Sequence, residues 1–299
     1  MKVVCVGHST YDTTLPVNEY PEENNKYRIK HHIECGGGPA ANGAYLLGKW
    51  GMETSIVSVV GDDYYGEKIR EDFEHVGVNT DYLEVKENHD TSSSYIIANM
   101  SNGSRTIITS KRDPIRKLSR NVELEADVIL IDGEHPESAI EVLNNNPNAL
   151  SVLDAGRLTD DNKVLGKLVK YLVCSHDFAE QFTGKKTDAN DLNTMIEIHK
   201  EIVDYFQTNV IITLEAAGSF TIIDGEYQVI PSIEVKALDS TGAGDIFHGA
   251  FTYFMANGYG LLESIKKASI TSAISVTRIG SRYSIPMLSE VIEYGQPIL

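Results

Sequence analysis

Apolar residues along this chain recur in two rhythms. Short, nearly continuous apolar runs at 2–7, 54–60, 128–131, 151–153, 171–174 and 210–214 have the texture of strands buried on both faces. Between them lie segments whose apolar residues return every three or four positions: Tyr65, Ile69, Phe73 and Val76; then 136–143 and 164–170; then Leu192, Met195, Ile196, His199 and Val203. That spacing predicts helices with one apolar face. Strand and helix in steady alternation predict an α/β fold, a mostly parallel sheet with helices on both faces. A long helix is expected over 261–277, and 220–223 with 227–230 form an edge hairpin turning at Asp224-Gly225.

Two stretches break this rhythm. Residues 26–34 look like a strand with little apolar content, and 92–110 alternate around a turn at Ser101-Asn102-Gly103-Ser104, which predicts a hairpin. Strands of this kind suit a small separate β-sheet with one open face, set over a ligand as a lid that excludes water. No repeat and no domain-sized linker is present, so the chain is expected to be one domain, 1–299, with lid segments at about 13–35 and 92–110.

Composition narrows the partners. With 41% apolar residues, the 299-residue chain has enough material for one large core. Lys and Arg number 26 against 43 Asp and Glu, a net charge of -17, which repels nucleic acid and anionic membranes. Cys5, Cys35 and Cys174 form no CxxC pair and no zinc spacing. The first apolar run is too short for a signal peptide, and a cytoplasmic location is expected.

The chemistry concentrates in 239–251. Gly242 and Gly244 open a segment with helical spacing at Ile246, Phe247, Ala250, Phe251 and Phe254. A glycine-rich turn leading into a helix turns backbone amides and the positive dipole end on an anion, phosphate being the obvious guest. Asp245 sits where that anion should bind. Two readings stand: a general base taking a proton from a hydroxyl that attacks the held phosphorus, or a carboxylate favoured by the dipole. Asp12 follows the first strand, either on the ligand side of the sheet or as a turn residue or cap. The run Gly36-Gly37-Gly38 loosely matches a dinucleotide fingerprint through Gly36, Gly38 and Ala41, but it follows a polar second strand instead of the first buried one. Residues 43–50 nearly spell a P-loop, with Trp50 where a magnesium-binding hydroxyl belongs. Close backbone approach to an uncharged polyol, with Asn42 adding amide donors and acceptors, is a third reading of this region. Arg105 at the base of the hairpin is either a phosphate contact or a solvated charge.

These two glycine-rich stretches, far apart and in this order, resemble the two signatures of the ribokinase-like, or pfkB, carbohydrate kinases, and the likeness covers nearly the whole chain. Residues 239–245 match the second signature, with Ser240 in place of its usual Thr. The resemblance implies an ATP- and Mg2+-dependent kinase phosphorylating a primary hydroxyl of a small sugar. It implies Asp245 as base, Gly242, Ala243 and Gly244 as anion hole, and Asp12, Gly38 and Asn42 as sugar-binding residues. Thr213, Glu215, Ala217 and Gly218 fall on its nucleotide loop, with Arg105 toward the phosphates. Asp239, Thr241, Ser275, Arg278, Gly280 and Ser284 resemble its monovalent-cation loop, for K+. A homodimer joined through the lids is a further expectation.

The chain departs from the pattern in one place. Relatives often carry Asn-x-x-Glu after the strand ending near Cys174, where this chain has Ser175 and Phe178, so Asp177 or Glu180 is expected to organise a magnesium water shell. Residues 103–107 resemble ketohexokinase-like members, and the combination of 36–41, 247–250 and 284–286 looks closer to fructokinases and kinases of fructose derivatives, sulfofructose kinase among them, which implies a ketose or ketose derivative. Pro39 replaces a sugar-binding Asn of ketohexokinases. Rival readings are a ribokinase or nucleoside kinase, a NAD-dependent dehydrogenase, and a catalytically silent sugar-binding protein.

Overall fold

The computed structural model describes residues 1–110 and 115–295. In chain order its strands are β1 (Lys2–Val6), β2 (Thr10–Val17), β3 (Ile33–Gly37), β4 (Glu53–Gly61), β5 (Asn79–Lys86), β6 (Ser93–Asn99), β7 (Arg105–Ser110), β8 (Val128–Ile131), β9 (Leu150–Ala155), β10 (Tyr171–Ser175), β11 (Asn209–Thr213), β12 (Ser219–Ile223) and β13 (Glu226–Ile230). The helices are α1 (Pro39–Lys49), α2 (Tyr64–His75), α3 (Pro136–Asn145), α4 (Asp160–Leu165), α5 (His176–Thr183), α6 (Leu192–Phe206), α7 (Ala243–Ala256), α8 (Leu261–Val276), α9 (Ser281–Ser284) and α10 (Leu288–Gly295).

The main sheet runs β13-β12-β11-β10-β9-β8-β1-β4-β5 and is parallel from β11 to β5, with the β12–β13 hairpin antiparallel at its edge. Strand alternation divides its core in two. Val3 and Cys5 of β1 pack into a cluster shared with α1, α2, α7 and α8, while Val4 and Val6 face one shared with α3, α5 and α6. A strand buried on both faces has no polar side to show, which is why these runs read as continuous. Strand order reverses at β1, flanked by β4 and β8, so the crevice for a ligand opens beyond the carboxyl ends of β1 and β8.

A second sheet, β3-β2-β6-β7, forms the lid. Its hairpin β6–β7 lies where alternation placed it, but its other half differs from expectation. The strand expected over 26–34 is only Ile33–Gly37, and the segment Thr10–Val17 is an unexpected strand that pairs with β3 and, in parallel, with β6. Asp12 is therefore a mid-strand residue opposite Ser94, not a turn residue or cap beyond β1. β-Branched Thr10, Thr13 and Thr14 favour this extended backbone, but their hydroxyls hide the pattern from an apolar count. Helix 164–170 was displaced in the same way: Thr159 caps α4 by accepting from the Asn162 amide, so the helix starts at Asp160 and ends at Leu165. β5 and α10 were not anticipated.

Candidate active site

Two helices from distant parts of the sequence meet at the crevice. Gly43 of α1 lies against Gly249 of α7, where a Cβ on Gly249 would stand 3.0 Å from the Gly43 Cα. Without side chains at the crossing the helices approach closely. That approach brings Asn42 and Asp245 together: the Asn42 Nδ2 donates to the Asp245 Oδ2 at 2.7 Å. Among the described residues no other donor reaches the Asp245 carboxylate, which leaves Oδ1 open to a hydroxyl.

Gly242 has φ +75 and introduces α7 without a side-chain cap, so the Gly244 and Asp245 amides of the first turn are left without an intrahelical partner, while the Ala243 amide makes a long turn bond to the Ser240 carbonyl at 3.3 Å. The turn is braced by Asp239, whose Oδ1 accepts from the Thr241 amide at 2.9 Å and hydroxyl at 2.6 Å while Oδ2 accepts from the Gly280 amide at 2.9 Å. From the lid, Arg105 donates to the Ser240 hydroxyl at 2.7 Å. The residue that departs from the usual Thr thus fastens the lid hairpin to the glycine-rich turn before α7.

Asp12 supplies the opposite wall. It is buried, with Oδ1 lacking a partner, and a Cβ on Gly37 would overlap its carboxyl. Burial raises its pKa to about 7, the Asp245 carboxylate adds to the rise, and Arg282 opposes it, as do the Ser94 and Thr10 hydroxyls. An orphaned buried carboxyl beside a general-base candidate suits a polyol, whose hydroxyls supply the missing donors. Gly38, at φ +100, precedes α1, and Pro39 takes the first helical position, where its absent amide hydrogen costs nothing.

Three charged groups here escaped sequence reasoning. Asp132, just past β8, accepts from the amides of His8 (2.9 Å), Ala40 (3.0 Å) and Glu134 (3.0 Å), tying β1, β8 and the start of α1 together; burial raises its pKa to about 8 against those donors. Asp154 of β9 and His248 of α7 form a buried pair at 3.1 Å. His248 Nδ1 also lies 2.6 Å from the Gly244 carbonyl, and Nε2 lies 3.2 Å from that of Val173. Both ring nitrogens thus face oxygen atoms. Burial raises the Asp154 pKa to about 6, with His248 opposing and Asp245 adding to the rise. The signal for Asp154 and Asp132 was their place at the carboxyl ends of recognised strands; nothing local marked His248.

The nucleotide-loop candidates gather at the ends of β10 and β11. Leu214 donates to the Gly218 carbonyl at 2.7 Å, closing a turn over Glu215–Ala217, and Thr213 donates its hydroxyl to Cys174 at 3.3 Å. Glu215 is exposed, 3.6 Å from His176, which lies equally near Asp177. At the cation-loop candidates, Asp239, Thr241 and Gly280 come together, but Ser275 donates its hydroxyl to Ser272 and Ser284 to Ser281. The Arg278 side chain turns away to Glu290.

Glu180 requires a correction. Its Oε1 accepts from the Thr187 amide at 3.0 Å and hydroxyl at 2.9 Å, and its Oε2 from Lys186 at 2.5 Å. Lys186, then the Thr187 amide, hold its pKa down to about 2. Both oxygens are committed to closing the loop after α5, so Glu180 is not placed to organise a metal's water. The neighbouring departures are structural too: Ser175 caps α5 and Phe178 is core. Of the two carboxylates expected there, Asp177 is the exposed one.

The chain matches the description "pfkB family carbohydrate kinase" over residues 1–288. It is 25% identical to a ribokinase of Bacillus subtilis, covering 98% of this chain and 99% of that one, and 26% identical to a deoxyribokinase of Salmonella typhi, covering 98% of each. A crystal structure from Agrobacterium tumefaciens, provisionally described as a ribokinase, superposes with TM-score 0.88 at 26% identity over 99% of this chain and 97% of its own. The ribokinase of Arabidopsis thaliana complexed with ribose and ATP superposes with TM-score 0.76 over 99% and 98%, and at 23% identity that likeness speaks for the fold alone. None of these relatives is named for a ketose.

Proposed function

Because the chain belongs to the pfkB family of carbohydrate kinases and is with it an ATP-dependent kinase, we propose that it phosphorylates a primary hydroxyl of a small free sugar, with Asp245 as general base. The observation that carries this reading is the Asp245 carboxylate, held through Oδ2 by Asn42, with Oδ1 open beside the uncapped start of α7. Asp12 and Asn42 bind sugar hydroxyls, and Gly38 lets the backbone come close. Oδ1 of Asp245 takes the proton as the hydroxyl oxygen attacks the γ-phosphorus of ATP, the bond from that phosphorus to the bridging oxygen breaks and ADP leaves, and the Gly242, Ala243 and Gly244 amides take up charge on the transferred group.

Magnesium-bound ATP supplies the phosphoryl group and neutralises charge when bound. Thr213, Glu215, Ala217 and Gly218 form its base-and-ribose side and Arg105 approaches its phosphates. The exposed Asp177 is the carboxylate left to face a metal's water shell. Asp239 and the carbonyls near Thr241, Ser275, Arg278, Gly280 and Ser284 are proposed for a monovalent cation such as K+. Tyr95, Ile107 and Ile108 are exposed on the lid, which supports pairing with the lid of a second copy. The three free, buried cysteines fit a cytoplasmic setting, and among the described residues no helix is long and apolar enough to cross a membrane.

For the sugar, a fructose-like ketose rests on the likenesses at 103–107, 247–250 and 284–286, while the ribokinase and deoxyribokinase relatives favour a pentose. ADP release measured across ketoses, sulfonated and phosphorylated ketoses, pentoses and nucleosides separates these, and silence with every acceptor would defeat the kinase reading. Asp12→Asn is expected to raise the sugar KM about 10- to 150-fold, the equivalent of a charged hydrogen bond worth ~1.5–3 kcal/mol, with the ATP KM unmoved. An unchanged sugar KM would remove Asp12 from the binding site.

A further inference from the structure

Arg282 is the largest fully buried side chain of the protein, 1% exposed, and it lies behind the site with no place in the chemistry described above. It reaches both ways. Its Nε donates to the Asn42 Oδ1 at 3.3 Å, and its Nη1 donates to the Asp72 Oδ2 at 3.2 Å. Asp72 is anchored in turn by the Gly36 amide, which donates to the same oxygen at 2.8 Å. The guanidinium lies 4.4 Å over the Phe73 ring and 5.2 Å over that of Tyr45, so aromatic faces confine it while Nε and Nη1 make its bonds and Nη2 is buried without one. A Cβ on Gly36 would overlap the guanidinium, which accounts for the first glycine of the run.

The geometry points to Arg282 as a positioning residue for the general base. An amide side chain has two nearly isosteric ends, and whichever faces Asp245 decides whether the carboxylate is held or repelled. Arg282 has only donors, so it claims the Asn42 oxygen and turns the amide nitrogen on Asp245. Asp245 Oδ2 is thereby occupied and Oδ1 is the oxygen presented to the substrate. Asp72 and the two rings fix the guanidinium in the plane where this holds, so the chain Gly36–Asp72–Arg282–Asn42–Asp245 runs from α2 and β3 to the reacting atom. A lysine donates from a single nitrogen on a flexible stem, so it lacks the planar fork that reaches Asn42 from Nε and Asp72 from Nη1.

This inference rests on the kinase reading, and wild-type turnover of any sugar with ATP establishes that reading first. Arg282→Met and Arg282→Lys are then expected to lower kcat by about 10- to 10²-fold, the range for a misplaced catalytic group, with the ATP KM unchanged. In an Asp245→Asn background the same Arg282 substitutions are expected to cost nothing further, because their effect passes through Asp245. Asp72→Asn, an isosteric change at a partly exposed position, is expected to lower kcat in the same direction by a smaller factor and to serve where the Arg282 variants do not fold. Full kcat in Arg282→Lys, an undiminished kcat in Asp72→Asn, or a loss that multiplies with that of Asp245→Asn would each overturn the positioning role while leaving the kinase intact.

Discussion

Asp245→Asn is expected to lower turnover by about 10²- to 10⁴-fold, the range for a general base, with sugar affinity close to wild type. The amide matches the carboxylate in size and sits in the first turn of α7, so the fold should not notice the change. What it lacks is basicity: the incoming hydroxyl keeps its proton during attack, and the anion hole cannot compensate because it acts on the phosphoryl oxygens. Steady-state kinetics with sugar binding measured by calorimetry would separate the two parameters. Unchanged turnover would return Asp245 to the alternative of a carboxylate favoured by the helix dipole. A tenfold rise in the sugar dissociation constant with little loss of kcat would make it a binding group.

His248→Leu is expected to destabilise the folded protein by about 3–5 kcal/mol at pH 8, because it leaves the Asp154 carboxylate buried without its partner. Its pH dependence follows from a pKa already raised to about 6. A carboxyl with a raised folded-state pKa contributes stability that is fully present below its unfolded value, near 3.8, and is lost as pH rises through the folded value. Removing His248 takes away the group that opposes this rise, so the folded pKa moves higher still. The deficit of the variant should therefore be largest at pH 8 and shrink toward pH 5, where Asp154 takes up a proton. His248→Leu combined with Asp154→Leu should recover much of the loss at pH 8, since no buried carboxylate is then left without its partner. Thermal or urea unfolding at the two pH values reads both effects, and a deficit that is flat with pH would show that Asp154 is not the group responsible.

Much of the site was legible because its residues sit in local patterns with a mechanism. A glycine-rich turn entering an apolar helix puts Gly242 to Gly244 and Asp245 at an uncapped helix start, where we propose the anion site. Asn42 was singled out from its glycine run, though its bond to Asp245 was not. Asp12 was found for an incomplete reason: its position after β1 suggested the ligand side, but the small sheet that carries it is built from threonines that no apolar count registers. Glu180 was misjudged because proximity to a departed motif says nothing about which donors a side chain will meet, and Lys186 and Thr187 claim it locally.

The sequence by itself determined the two-sided parallel sheet, the lid hairpin and the glycine-rich turn that carries the candidate base into α7, since each depends on periodicity or backbone freedom within a few residues. Only the tertiary structure decided how they act together. The close crossing at Gly43 and Gly249 joins Asn42 to Asp245, Arg282 from the far end of the chain orients that amide, and His248 is drawn beneath Gly244 by Asp154. These are contacts between side chains hundreds of residues apart or on different layers, set by packing and by the need to satisfy buried charge, and no local spacing encodes them.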